Sequence, residues 1–255
     1  NIGLGASRAL QLTVLPDFGQ VEADPSQLNL TAFEITFPEK RRFFLEGREF
    51  FRFPLALGVP STETMFYTRR IGAQPTREFG VAESAIVDYP ERTTILGAAR
   101  LTGRETSGLS YALLSAVTDT ERAHVRSETS DTHPRIAAPT AYTVGRLRKE
   151  FDANSAWGGA LTHVARDLDD DLAPHYVRQA LGVASDFEMH RGRIGLLGNV
   201  AATHLTGSPD AIAALQRSSV HYMQRPDAHH LHYDAQRSSL TGWSAELTGG
   251  KLDGA

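Results

Sequence analysis

The sequence contains no cysteine among its 255 residues. This absence excludes a disulfide framework, a thiolate nucleophile and a cysteine-ligated metal site. There is also no run of about 18 apolar residues, so the sequence encodes no transmembrane helix. No signal peptide is visible. Neither the Gly-x-Ser-x-Gly nucleophile elbow nor a common phosphate-binding loop occurs, which argues against serine-hydrolase and nucleotide chemistry.

Excess charge of one sign is also missing. The formal net charge is −4, so no general basic field is available to attract nucleic acid. Hydrophobic residues make up 41% and charged residues 22% of the chain, which is typical of a folded protein. We expect neither a nucleic-acid partner nor a cofactor. Because the chain starts at Asn1 without Met, directly before a strand-like stretch, we interpret it as a fragment of a longer protein.

Strand-type alternation is the main pattern that is present. Apolar and polar residues alternate with a period of two in several stretches of about 10 residues, at 109–118, 177–188, 193–204 and 240–248. Leu114 is an exception, since it falls on the polar face of its stretch. A tilted membrane-spanning strand needs about 9 to 11 residues. In such a strand one face meets lipid and the other a wet lumen, but a soluble β-sheet protein also alternates.

Short and long connections alternate along the chain. Three predicted hairpins have short turns, with strands at 93–103 and 109–119, 141–151 and 156–166, and 176–188 and 193–205. Longer polar connections follow each hairpin, as in outer-membrane barrels, which have short turns on one rim and long loops on the other. The predicted fold is therefore all-β, with antiparallel up-and-down hairpins of a partial outer-membrane-type β-barrel.

The two parts of the chain differ in composition. Residues 1–90 are rich in Phe, Pro and charge and lack clean hairpins. We predict here an irregular segment with the first strand or strands, which lies in the lumen as a plug or across one rim. Residues 91–255 are predicted to form the antiparallel hairpins of the barrel.

Several blocks resemble a known bacterial family. They read PDFGQVEADP at 16–25, NLTAFE at 29–34, FPEKRRFFLEG at 37–47, YTRRIG at 67–72, TILGAARLTG at 94–103 and QRPD at 224–227. They are similar to the domain of unknown function 5916, which usually follows a domain similar to carbohydrate-binding module family 9. The resemblance implies an outer-membrane barrel and a link to carbohydrate binding or uptake. It implies no catalytic residue in the barrel region.

The candidate binding site is a charged cluster drawn from the first four of these blocks. Its members are Asp17, Glu22, Asp24, Glu34, Glu39, Lys40, Arg41, Glu46, Arg69 and Arg70. Our interpretation is structural: the acids pair with the bases inside a lumen, since buried charges need partners. It predicts that Arg69 or Arg70 contacts one of the carboxylates through two hydrogen bonds. The alternative is an envelope glycan hydrolase, which needs two facing carboxyl groups.

Other partners follow from the predicted fold. We expect outer-membrane lipid, a carbohydrate ligand and the rest of the same polypeptide, which would close the barrel in a Gram-negative-type cell envelope. A soluble secreted carbohydrate-binding β domain stays open as an alternative. We expect no metal: Asp169–Asp171 lack the spacing of a calcium loop, and His229, His230 and His232 have no identifiable third ligand.

Overall fold

The structure is a computed structural model that describes residues 2–3, 7–16, 36–53, 55, 65–77, 86–219 and 221–251. Its strands are β1 (Ile2–Gly3), β2 (Arg8–Val14), β3 (Ile86–Asp88), β4 (Ile95–Arg104), β5 (Leu109–Thr118), β6 (Glu121–Arg122), β7 (His124–Arg126), β8 (Asp131–Thr132), β9 (Arg135–Ala137), β10 (Thr140–Asp152), β11 (Ser155–Arg166), β12 (Val177–Arg191), β13 (Ile194–Gly207) and β14 (Ser239–Lys251). The helices are α1 (Arg42–Leu45), α2 (Pro209–Arg217) and two 3-10 turns, Arg48–Phe51 and Thr68–Arg70.

One large antiparallel sheet dominates the fold. Its strand order is β1-β2-β4-β5-β10-β11-β12-β13-β14, so every long strand pairs with its neighbours along the chain. This confirms the predicted all-β, up-and-down architecture. Within the described residues the order ends at β1 and β14, and the sheet is not closed into a barrel. Short links join β4 to β5, β10 to β11 and β12 to β13, while longer connections leave the opposite end of the sheet.

Strand register divides the sheet into two chemically different faces, because directly opposed residues of antiparallel strands share a face. One row crosses all nine strands and is apolar throughout, through Ile2, Leu10, Leu101, Leu113, Gly145, Leu161, Val183, Ala202 and Trp243. We call this the outer face. The opposite, inner face carries Arg100, Arg146, Arg148, Asp186, Glu188, Asn199 and Glu246.

The outer face is exposed although it is apolar. Among its large side chains, Trp243 is 79% exposed, Leu147 51% and Val183 42%. Part of the inner face is instead covered by residues 36–53 and 65–77. Here Phe44 and Ile71 pack with the inner-face residues of β4, β5 and β10, at Ile95, Ala98, Leu114, Ala116 and Val144. The exception in the sequence pattern is thereby explained, since Leu114 belongs to this core and is 3% exposed.

The end of the sheet with the long connections carries additional structure. The predicted loop at 120–139 contains strands β6 to β9, which form small sheets β3-β7-β8 and β6-β9. The connection after β13 was predicted as a loop, and this is wrong, since it contains α2. Ser208 caps α2 by accepting a hydrogen bond from the backbone N–H of Ala211, and Pro209 occupies the first turn. No helix in the described residues is long and apolar enough to cross a membrane.

Candidate functional site

The first ionic contact under the inner face joins two parts of the N-terminal third. Arg41 donates two hydrogen bonds to the Glu39 carboxylate, with Nε–Oε1 at 2.8 Å and Nη2–Oε2 at 2.7 Å. The Thr68 hydroxyl donates to the same carboxylate at 2.7 Å, and Arg41 also donates to the carbonyl of Ile71 at 2.6 Å. Arg41 lies over the ring of Phe44, 4.3 Å from its centroid. This pair therefore ties the segment before α1 to the turn at Thr68–Arg70.

A second contact ties the N-terminal third to the sheet. Glu46 accepts hydrogen bonds from Gln11 of β2 at 2.5 Å and from Arg42 at 3.0 Å. Its Oε2 also lies 3.6 Å from Nη2 of Arg100 on β4. Arg100 is buried and donates to the carbonyl of Phe43 at 2.5 Å. The guanidinium of Arg100 therefore anchors α1 to the inner face.

The third contact is a buried ion pair within the sheet. Arg146 of β10 binds Asp186 of β12 through both guanidinium ends, with Nη2–Oδ2 at 2.9 Å. Their side chains are 4% and 3% exposed. The intervening strand β11 has Gly158 at this point, and a Cβ there would lie 2.6 Å from both Arg146 Nη1 and Asp186 Oδ1. The missing side chain of Gly158 is what allows the two charges to meet.

The ion pair extends into a charged row toward the short-turn end of the sheet. Arg148 lies 3.6 Å from Asp186 Oδ2 and donates to Glu188 at 3.1 Å. His190 Nε2 is 3.8 Å from the other oxygen of Glu188. On the other side of Arg146, the ring of Phe53 lies 5.1 Å from the guanidinium. Charged side chains thus line the inner face, and the N-terminal segment covers part of them.

Comparison with known protein families shows to which family the chain belongs. The family described as Domain of unknown function (DUF5916) matches residues 2–173, which is more than half of the chain. The chain belongs to this family. No match was found among curated proteins or among solved structures.

In this DUF5916 chain the structure describes only part of the predicted charged cluster. Asp17, Glu22, Asp24 and Glu34 lie outside the described residues. Glu39, Arg41 and Glu46 are brought under the inner face, although Glu39 and Glu46 bind different arginines. Lys40 follows Glu39 and donates its backbone N–H to that carboxylate at 3.1 Å.

The two arginines of the block at 67–72 lie close to the same region. Arg69 donates to the carbonyl of Pro38 at 3.3 Å, and the carbonyl of Arg70 accepts from the hydroxyl of Tyr142 at 3.5 Å. The two-bond contact with a carboxylate that we expected of Arg69 or Arg70 is made by Arg41 to Glu39. For Arg69 and Arg70 it stays a prediction, since four of the acids lie outside the described residues.

Sequence reasoning missed the inner-face half of the site. Arg100, Arg146, Arg148, Asp186 and Glu188 were not chosen as site residues. The signal that could have found them is their position in the alternating pattern. All of them fall on the polar side of strands whose other side is apolar. Their pairing depends on the register of β10, β11 and β12, which no local pattern determines.

The electrostatics of the described carboxylates favour a structural role. Burial raises the pKa of Glu39, but hydrogen bonds from Arg41 and Thr68 outweigh it and hold the pKa below its ordinary value. Hydrogen bonds from Arg42 and Gln11 lower the pKa of Glu46 in the same direction. Both groups are therefore ionised and engaged at neutral pH. A general acid in glycoside hydrolysis needs the opposite, a raised pKa.

Proposed function

We propose that this DUF5916 chain forms part of the wall of a bacterial outer-membrane β-barrel. The observation that carries the proposal is the orientation of the sheet: its apolar face is exposed, while the charged face buries Arg100, Arg146 and Asp186. A soluble β domain would bury the apolar face in a core. Moving one exposed Leu- or Phe-sized side chain out of water gains about 1.5 to 3 kcal/mol, so lipid would stabilise this face strongly.

The distribution of charge on the outer face supports the same proposal. Within the long strands, Lys and Arg occur on this face only at the short-turn end, at Arg8, Lys149, Arg191 and Lys251. The one acidic residue of these strands on it is Asp152, which opposes Ser155 at the same end. An apolar band about 25 Å tall with polar ends is the pattern of barrels in lipid. The strands β4, β5 and β10 to β14 have 10 to 15 residues, which is enough to span that height.

The inner face would then line the lumen. Residues 36–53 and 65–77 would lie inside it, held by the Glu39–Arg41 and Glu46–Arg100 contacts. In this proposal the remaining strands of the barrel come from the same polypeptide. A carbohydrate ligand or cargo, the Gram-negative-type envelope location and a plug role of the N-terminal third stay predictions. A hydrolase role is not favoured, because Glu39 and Glu46 are both held by arginine.

Tryptophan fluorescence offers a direct test. The sequence has two tryptophans, Trp157 and Trp243, and both lie on the outer face with 47% and 79% exposure. The full polypeptide would be reconstituted in vesicles of phosphatidylcholine with dibrominated acyl chains, and in matched vesicles without bromine. Bromine quenches only indoles that contact the acyl chains. Trp157→Phe and Trp243→Phe variants allow each indole to be measured alone.

The expected result is strong quenching by the brominated lipid and weak quenching by aqueous acrylamide, for both indoles. Equal emission in the two lipids would overturn the proposal. Protein that stays in the aqueous phase as a folded monomer would overturn it as well.

A further inference from the structure

Two histidines and an aspartate meet at the end of the sheet that carries the long connections. They are His124 in β7, Asp131 in β8 and His133 just after it. Their ligand atoms all lie within 4.8 Å of one another. Asp131 Oδ1 is 2.7 Å from His124 Nε2 and 3.8 Å from His133 Nε2. The two imidazole rings are stacked, with centroids 4.3 Å apart and an interplanar angle of 20°.

Hairpin register explains why these side chains converge. Val125 pairs with Thr132 and Arg126 with Asp131, so His124 and His133 stand opposite each other one step further on. All three side chains of the cluster are therefore on one face of the hairpin. The turn is closed by a hydrogen bond from Ser127 N to the Ser130 carbonyl at 2.8 Å.

The hairpin is fixed from both sides. Strand β3 pairs with β7 and places Asp88 opposite His124, which adds a second carboxylate to the same row. On the other side Arg122 donates to the carbonyl of His133 at 2.8 Å. Ala123, beside His124, is fully buried. The backbone that presents the cluster is thus paired to its surroundings, although Asp131 and His133 are open to solvent.

We propose that His124, Asp131 and His133 bind a divalent transition-metal ion of the zinc class. Imidazole nitrogen and carboxylate oxygen suit Zn²⁺, Cu²⁺ and Ni²⁺, whereas Ca²⁺ takes oxygen ligands. Bonds of about 2.0 to 2.2 Å in a tetrahedral site separate neighbouring ligand atoms by roughly 3.3 to 3.5 Å. The two distances from Asp131 Oδ1, 2.7 and 3.8 Å, bracket that value, and the two histidine nitrogens lie within 4.8 Å of each other. Three protein ligands leave a further position for water or Asp88.

The arginine of the same hairpin face offers an independent check. Arg126 is opposite Asp131 and lies on the same face of the hairpin, so its positive charge would repel an ion bound there. Neutralising Arg126 should therefore tighten metal binding. A site formed elsewhere in the chain would not respond to this change.

Titration calorimetry with Zn²⁺ on the purified full polypeptide tests the proposal, with Co²⁺ absorption as a second readout of nitrogen ligation. We expect one ion per chain. His124→Ala, His133→Ala and Asp131→Asn should each weaken binding by more than about tenfold, since loss of a mere hydrogen-bonding partner of a ligand already costs 10- to 100-fold. Arg126→Gln should strengthen it.

The matched control is His230→Ala, in the other histidine-rich stretch, which should leave the affinity unchanged. Asp131→Asn preserves the hydrogen bond to His124, so a lower affinity in that variant does not come from a misfolded hairpin. Wild-type binding no tighter than that of the His124→Ala/His133→Ala double variant would overturn the proposal. Loss of binding in His230→Ala alone would overturn it too.

Discussion

The buried Arg146–Asp186 pair provides the sharpest test of the inner face. Asp186→Asn removes one charge and leaves the other in a site where both side chains are less than 5% exposed. Breaking a buried pair in this way costs about 3 to 5 kcal/mol, because the remaining charge has no partner. Arg148, 3.6 Å from the same carboxylate, adds repulsion once the negative charge is lost. The assay is denaturant unfolding of the lipid-reconstituted protein, followed by tryptophan fluorescence.

The control neutralises a carboxylate on the same face that is open to solvent. Glu150 pairs with Arg104 at 3.2 Å, with side-chain exposures of 41% and 64%, so Glu150→Gln should cost only about 0.2 to 1 kcal/mol. An Arg146→Met/Asp186→Leu double variant should be more stable than Asp186→Asn alone, since it leaves no unpaired charge. An Asp186→Asn variant no less stable than Glu150→Gln would refute the reasoning.

Three further predictions concern other contacts of the sheet and of the segment that packs on it. Gly158→Ala should lower the free energy of unfolding by separating the ion pair. Gly159→Ala should not, because the heavy atom nearest to the new Cβ would be 3.8 Å away. Equal effects of the two substitutions in parallel unfolding curves would contradict the close approach of the ion pair to Gly158. Leu114→Ala should cost about 2 to 5 kcal/mol and Leu113→Ala, on the outer face, much less; the reverse order would mean that the faces are misassigned. Because its pKa is lowered, Glu39 stabilises the fold at neutral pH, and this stabilisation is lost as the pH falls below about 4.3 and through the folded-state pKa. Glu39→Gln should therefore show a weaker acid dependence of stability in that range. An unchanged dependence would show that the pairing of Glu39 does not matter.

The strands were predictable because their signal is local. Alternation at 109–118 located β5 as Leu109–Thr118, and the predicted 176–188 and 193–205 overlap β12 and β13 closely. Long strands make this easy, since both the apolar and the polar positions continue over 10 residues or more. Leu114, the exception in the pattern, has a distant cause, since it belongs to the same core cluster as Phe44.

The site was harder to predict because its contacts are distant along the chain. Arg146 and Asp186 are 40 residues apart and meet only through the register of three strands. The His124–His133 cluster depends on a small hairpin inside a stretch that looked like a plain polar loop. Helix α2 has a local signal, the Ser208-Pro209-Asp210 start, which we interpret from the sequence as part of a long loop.

The proposed function requires that the apolar face of the sheet contacts lipid. The most direct measurement uses the absence of cysteine, which allows single spin labels to be placed along β11 from 159 to 164 in the full polypeptide. Accessibility to oxygen, which is concentrated in lipid, is compared with accessibility to a water-soluble nickel chelate. The account predicts high oxygen accessibility at 159, 161 and 163 and low values at 160, 162 and 164. High chelate accessibility at the odd positions, or no alternation at all, would contradict it.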